Sequence, residues 1–211
     1  MNYVFKQVYD DFYREDQYLR TGMSCTTGEK WLITGAGYQQ VKIEGGCITS
    51  PSNVYCYLPF NKKINRIAGV FSFHATSEND PNIGSMALIA DTSGGGLLTM
   101  LHLVMSPTYA SLQKRIENVS GSFPSIIRSE HSLLTDGTRY NVAIEINGGH
   151  VTLVTPTKKI ISTYDVDVEN MNLTWGCWQI IPKPNAPIAK WHLAHMGDLP
   201  KENFNILYGL G

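Results

Sequence analysis

A chain of 211 residues, 43% hydrophobic and 10% aromatic, is long enough to bury one sizeable core. Its 17 basic and 18 acidic residues leave a net charge of −1 with no basic run, which excludes binding that rests on neutralising nucleic-acid phosphates. The charged fraction, 17%, lies below the usual quarter and suits sheet faces made of polar, uncharged residues.

The first segment, Asn2 to Val8, sets Tyr3, Phe5 and Gln7 against Val4, Lys6 and Val8 and reads as a leading strand. A polar stretch with two aromatics, Asp10 to Asp16, runs into Thr21-Gly22 and Thr27-Gly28 turns. Short strands punctuated by glycine follow: Trp31 to Ile33, Tyr38 to Ile43 ending at Gly45-Gly46, Cys47 to Thr49, and Asn53 to Leu58. Ile67, Gly69, Phe71 and Phe73 form the inward set of a longer strand that stops at His74. After a turn-rich loop from Ser77 to Asn82, Met86 to Ala90 and Leu97 to Met105 read as buried strands joined by Ser93-Gly94-Gly95-Gly96. Tyr109 to Ile116 is ambiguous, because Leu112 and Ile116 have helical spacing over only about two turns, too short for an isolated helix.

The plainest signal is Thr135 to Val154. Tyr140, Val142, Ile144 and Ile146 alternate with Asn141, Ala143, Glu145 and Asn147, the period of a half-buried strand. Asp136-Gly137 precedes it, and Asn147-Gly148-Gly149 turns it into a hairpin that Val151 and Leu153 continue. Lys159 to Val168, Trp175 to Ile181 and Ile188 to Met196 complete the strands, with Pro182, Pro184 and Pro187 marking a loop. Turn signals every eight to twelve residues, roughly a dozen strands and no fixed-period repeat argue for an all-β antiparallel two-sheet sandwich in one domain, residues 1–211. Within it, 1–9 is the leading strand and 197–211 a C-terminal arm bearing Phe204, Ile206, Leu207 and Tyr208.

The order DDFYREDQYLRTGMSCTTGEKWLITG, then VKIEGGCI, resembles laminin-G-like, concanavalin-like β-sandwiches of phage and bacterial surface proteins. The matching positions are Phe12, Arg14, Asp16, Thr27, Gly28, Trp31, Gly45 and Gly46, and DGTRYNVAIEINGGHVTLVTPTKK is similar to the hairpin such domains carry before their final strands. The likeness spans Asp10 to Met196. It implies a jelly-roll sandwich, with little helix, that binds glycans or other proteins on tail appendages, spikes or capsid decorations. Function carried over from fold is analogy.

Few residues suggest chemistry. Asp165, Asp167 and Glu169, read as one strand face, have the pattern of a retaining glycosidase pair or of a calcium site, against the plainer reading of a solvated strand end. His192, His195 and Asp198 are three apart; on a strand such residues point to opposite faces, which speaks against a shared metal. His102, inside an apolar run, reads as a core histidine. Cys25, Cys47, Cys56 and Cys177 have no zinc spacing and read as reduced thiols. Trp175, Trp178, Trp191, Tyr55 and Tyr57 are candidates for stacking on a sugar, with one of Trp175 and Trp178 facing the core and Trp31 wholly inside.

These readings converge on a non-enzymatic module, a virion structural, decoration or appendage protein with host-surface glycans as its ligand; a glycoside hydrolase or lyase on the same fold is the alternative. Expected partners are other virion or surface proteins and further copies of the chain, without nucleic acid or membrane insertion. No cofactor is expected beyond the calcium alternative. No signal peptide is visible, which fits a protein kept in the cytoplasm, the mature part of something larger, or one that leaves without a signal; with the resemblance above, the expected site is a phage particle, its protein made in the host cytoplasm.

Overall fold

The computed structural model describes residues 6–74, 83–90, 99–116, 123–181 and 189–198. One sheet runs β14 (Ile160–Tyr164), β13 (His150–Val154), β12 (Tyr140–Asn147), β7 (Arg66–Ser72), β16 (Lys190–Gly197), β5 (Ile48–Thr49), β4 (Lys42–Ile43) and β2 (Gln17–Tyr18), with β1 (Gln7–Asp10) also on β16. The other runs β11 (Ser125–Glu130), β10 (Tyr109–Arg115), β9 (Met100–Met105), β8 (Gly84–Ile89), β15 (Trp175–Ile180), β6 (Val54–Pro59) and β3 (Leu32–Thr34). All pairings are antiparallel, and the order mixes distant strands, so both sheets close only when the whole chain has been laid down.

The two sheets face each other across one apolar layer. Ile67 and Phe71 of β7, Val142, Ile144 and Ile146 of β12 and Trp191 and Met196 of β16 meet Leu58 of β6, Met86 and Leu88 of β8, Leu101 and Leu103 of β9 and Trp178 of β15. The period-two pattern read from Tyr140 to Asn147 is realised, with the hairpin turning at Gly148, whose φ of 58° is the left-handed conformation glycine tolerates. Ala143 departs from that pattern: it faces outward, yet is buried under Ala68, Val154 and Leu193.

Two expected strands are corrected, one ambiguous segment is decided and one strand had been missed. Tyr38 lies in a turn, and only Lys42–Ile43 of the expected Tyr38–Ile43 strand is paired. Tyr109–Arg115 is a strand, because cross-strand bonds to both β9 and β11 outweigh the local helical spacing of Leu112 and Ile116. Ser125–Glu130, which no apolar run announced, is the edge strand beyond it. The strand from Lys159 stops at Tyr164, and Val166–Asn170 forms a short helix, α1, with Asp165 as its N-cap. The Ser77–Asn82, Ser93–Gly96 and Pro182–Pro187 loops lie outside the described residues, as do Tyr3, Val4, Phe5 and the arm beyond Asp198.

A groove across the seven-stranded sheet

Side-chain size in register creates the main concavity of this sheet. One outward row reads Tyr57, Cys177, Ala87, His102 and Gln113 across β6, β15, β8, β9 and β10. The next row reads Tyr55, Gln179, Ser85, Val104 and Ser111; that on the other side ends Ile89, Met100 and Arg115. Large residues on β6 and on β9–β10 thus stand as walls over a floor of Cys177, Ala87 and Ser85. The groove between them has a volume of about 410 Å³, within the range of small-molecule sites. It spans four strand spacings, about 19 Å.

The two walls differ in chemistry. On β6 the rings of Tyr55 and Tyr57 are stacked at 6.2 Å between centroids and 17° between planes. Burial raises the Tyr57 phenol, which also hydrogen-bonds Thr34, so it stays protonated. The floor is internally satisfied: the Ser85 hydroxyl donates to Gln179 Oε1 at 2.6 Å, and Gln179 Nε2 donates to Asn53 Oδ1 at 3.1 Å. Burial also lifts the Cys177 thiol well above its ordinary value, so the floor carries no thiolate. On β9–β10, by contrast, the side chains of His102, Gln113 and Arg115 have no hydrogen-bond or ion-pair partner among the described residues; the Arg115 guanidinium rests on the Phe123 ring at 4.8 Å. Burial pushes His102 down to about 4, so its imidazole is neutral at pH 7 and offers one donor and one acceptor. All three side chains are part-exposed, so their polar groups face the open groove.

The aromatic candidates divide accordingly. Tyr55 and Tyr57 line the groove, and Trp175 packs on the same face beside Tyr57 and Ile89. Trp178 and Trp191 are corrected to core residues: both are fully buried, with indole N–H groups donating to Ala68 O and Gln179 O at 3.1 Å each, and neither has a face left for a sugar. His102, read as a core histidine, lines the groove instead, and Gln113 and Arg115 were missed as groove-lining residues. Their signal was the alternation of Met100, His102 and Val104 with Leu101, Leu103 and Met105, hidden in a run apolar on both faces.

The acidic candidates do not form one strand face. Asp165 precedes α1 and accepts the Asp167 N–H at 3.0 Å, while Glu169 sits further along the helix and accepts the Tyr164 hydroxyl at 3.2 Å. Lys114 of β10 reaches both Asp165 oxygens at 2.9 and 2.7 Å and Asp167 Oδ2 at 2.6 Å. Its ammonium already occupies the point where these carboxylates converge, so the set does not fit a calcium ion and works as a tie between the sheets. His192 and His195 do share the outer face, contrary to the expectation, because a bulge between Trp191 and Leu193 inserts one residue. They still serve separate partners, Ser72 and Gln7. Among the described residues no group of three His, Cys, Asp or Glu is arranged for a metal.

No family model matches the chain, and no curated protein matches it in sequence. Solved structures do share the fold. The exoplasmic/lumenal domain of VIP36 in its metal-free form is 11% identical, with a TM-score of 0.62 over 88% of this chain and 92% of that one. The carbohydrate recognition domain of Emp46p, solved as a point mutant, is 10% identical, with a TM-score of 0.61 over 79% and 87%. A structure described with endo-acting O-glycanases of the human gut microbiota is 9% identical, with a TM-score of 0.63 over 92% and 99%. The chain therefore has the concanavalin-like sandwich fold implied by its opening segment.

Proposed function

We propose that this protein is a carbohydrate-binding module that holds an oligosaccharide in the groove across β6, β15, β8, β9 and β10. The observation that carries the proposal is the pairing of a tyrosine wall with a facing wall of unpartnered His102, Gln113 and Arg115. Aromatic faces stack on pyranose rings, and side-chain amide, imidazole and guanidinium groups bond sugar hydroxyls. Support comes from two proteins of the same fold whose structures are described as a carbohydrate recognition domain and as a Man3GlcNAc complex.

Binding without turnover is part of the proposal, because no carboxylate lines the groove among the described residues and double displacement at a sugar needs two. The competing hydrolase reading draws on the O-glycanase of like fold. The proposed setting is the surface of a phage particle, with the module self-associating or docked on other virion proteins; its support is the resemblance of the Asp10–Met196 stretch to such surface proteins.

A glycan array followed by calorimetry on the wild type and Ala87→Leu tests the reading. Ala87 lies between Tyr57 and His102 in the outward row, so added bulk enters the groove rather than the core. Binding is expected to fall by at least about tenfold while the melting temperature holds. Equal binding by both proteins refutes the groove, and release of reducing ends from a bound glycan establishes the hydrolase.

A further inference from the structure

Charge along β10 alternates with direction. Lys114 turns toward α1 and is consumed by Asp165 and Asp167. Arg115, the next residue, turns into the groove. Arg14, Arg66 and Arg128 each meet a carboxylate, at Asp10, Glu145 and Glu130; Arg115 meets none among the described residues, and its Cζ lies 4.8 Å from the centre of the Phe123 ring. Phe123 covers one side of the guanidinium, and Met100 is its cross-strand neighbour. A cation held beside apolar groups is less hydrated than one in open water, which strengthens its attraction for an incoming anion. Among the described lining residues it is the single charge, since His102 is neutral at pH 7.

We infer that the groove selects an anionic saccharide and that Arg115 receives its acidic group, a carboxylate or a sulfate ester. The planar guanidinium fork matches two oxygens of either group, and its approach to Phe123 fixes the plane in which they bind. In the sheet register Tyr55 and Tyr57 lie on the strand four places from Arg115, so one end of the sugar chain stacks while the other end is read by charge. His102 on β9 stands between them and Gln113 lies beside Arg115 on β10, where both meet hydroxyls of the intervening ring. The inference rests on the glycan-binding reading of this groove and adds to it the class of sugar bound.

The test is an array of sialylated, uronate-containing and sulfated oligosaccharides, each beside its desialylated, carboxyl-reduced or desulfated parent. It is probed with the full-length wild type, Arg115→Gln and Ala87→Leu. The expected result is that one acidic series binds roughly ten- to a hundredfold more tightly than its neutral parent, and that Arg115→Gln erases this preference by lowering affinity for the acidic series far more than for the parent. Whether the preferred series carries carboxylate or sulfate identifies the group. Parents binding as well as the acidic sugars, or an acidic preference that survives in Arg115→Gln, overturns this inference while leaving the groove intact, provided Ala87→Leu still weakens binding at least about tenfold. Binding that Ala87→Leu leaves unchanged, or no binding to any sugar, overturns the groove reading and this inference with it.

Discussion

At the scale of single residues, the most densely bonded side chain among the described residues is Asp10, fully buried at the end of β1. Its carboxylate accepts the Phe12 N–H at 3.0 Å, both Arg14 η-nitrogens at 2.9 and 2.8 Å, the Trp31 indole N–H at 2.8 Å and the Thr26 hydroxyl at 3.3 Å. The Asp10 bond also holds Phe12 at a φ of 55°, unusual for a residue with a side chain, and turns its ring onto Trp31 at 6.0 Å. Phe12, Arg14 and Trp31, three of the positions that carry the family resemblance, are thus one structural knot and not a binding site. Removing the acceptor leaves a guanidinium and an indole unpaired, so Asp10→Ala should cost about 3–5 kcal/mol in urea unfolding, and Asp10→Asn less. A loss below about 1 kcal/mol for Asp10→Ala would mean that the knot is dispensable.

At the scale of elements, β7 and β16 fit because Gly69 has no side chain. A Cβ there would lie 2.5 Å from Trp191 Cζ3 and 2.8 Å from Cε3, and the indole is fixed by its bond to Gln179 O and its contact with Phe71. Gly69→Ala should therefore destabilise by about 1–3 kcal/mol, and Gly69→Ala combined with Trp191→Leu should lose less than the two single changes summed. Strict additivity in a double-mutant cycle would contradict the packing described. The same scale explains the misreading of Lys159–Glu169. Asp165-x-Asp167-x-Glu169 is compatible with a strand face and also with an N-cap followed by an acidic first turn, and five residues are too few for periodicity to decide. The tie from Lys114, 51 residues earlier, goes with the helical form.

At the scale of the whole molecule, the sandwich withdraws three imidazoles from water to differing degrees. His102, His192 and His195 are each pushed down to about 4, foremost by burial, with Arg139 and Lys190 adding to it at His192 and Arg66 at His195. Above the ordinary value of 6.5 both folded and unfolded chains carry them neutral, and this part of the stability is intact. Between about 6.5 and 4 the unfolded chain takes up protons that the folded one refuses, so stability falls as pH falls. The loss is on the order of 1–3 kcal/mol for the buried His195, and smaller for the part-exposed His102 and His192, which solvent screens. Calorimetry should show a clear drop in melting temperature from pH 7.5 to about pH 4.5, made smaller by His102→Gln. Equal melting temperatures at both pH values would count against buried neutral imidazoles.

What the amino-acid sequence settled alone is what local alternation and turn chemistry control: the all-β class, the Tyr140–Val154 hairpin, the Gly22 and Gly28 turns, and the opposed faces of Trp175 and Trp178. The groove was not legible there, because Tyr57, Cys177, Ala87, His102 and Gln113 come from segments far apart along the chain and become a wall, a floor and a second wall only through strand pairing. Burial was equally hidden for Trp191, since a one-residue bulge fixes which of its neighbours face out, and bulges leave no periodic trace. Pattern along the chain determines which side of a strand a residue takes. Which strands lie side by side, and so which side chains converge, is decided by non-local hydrogen bonding and by the shared core.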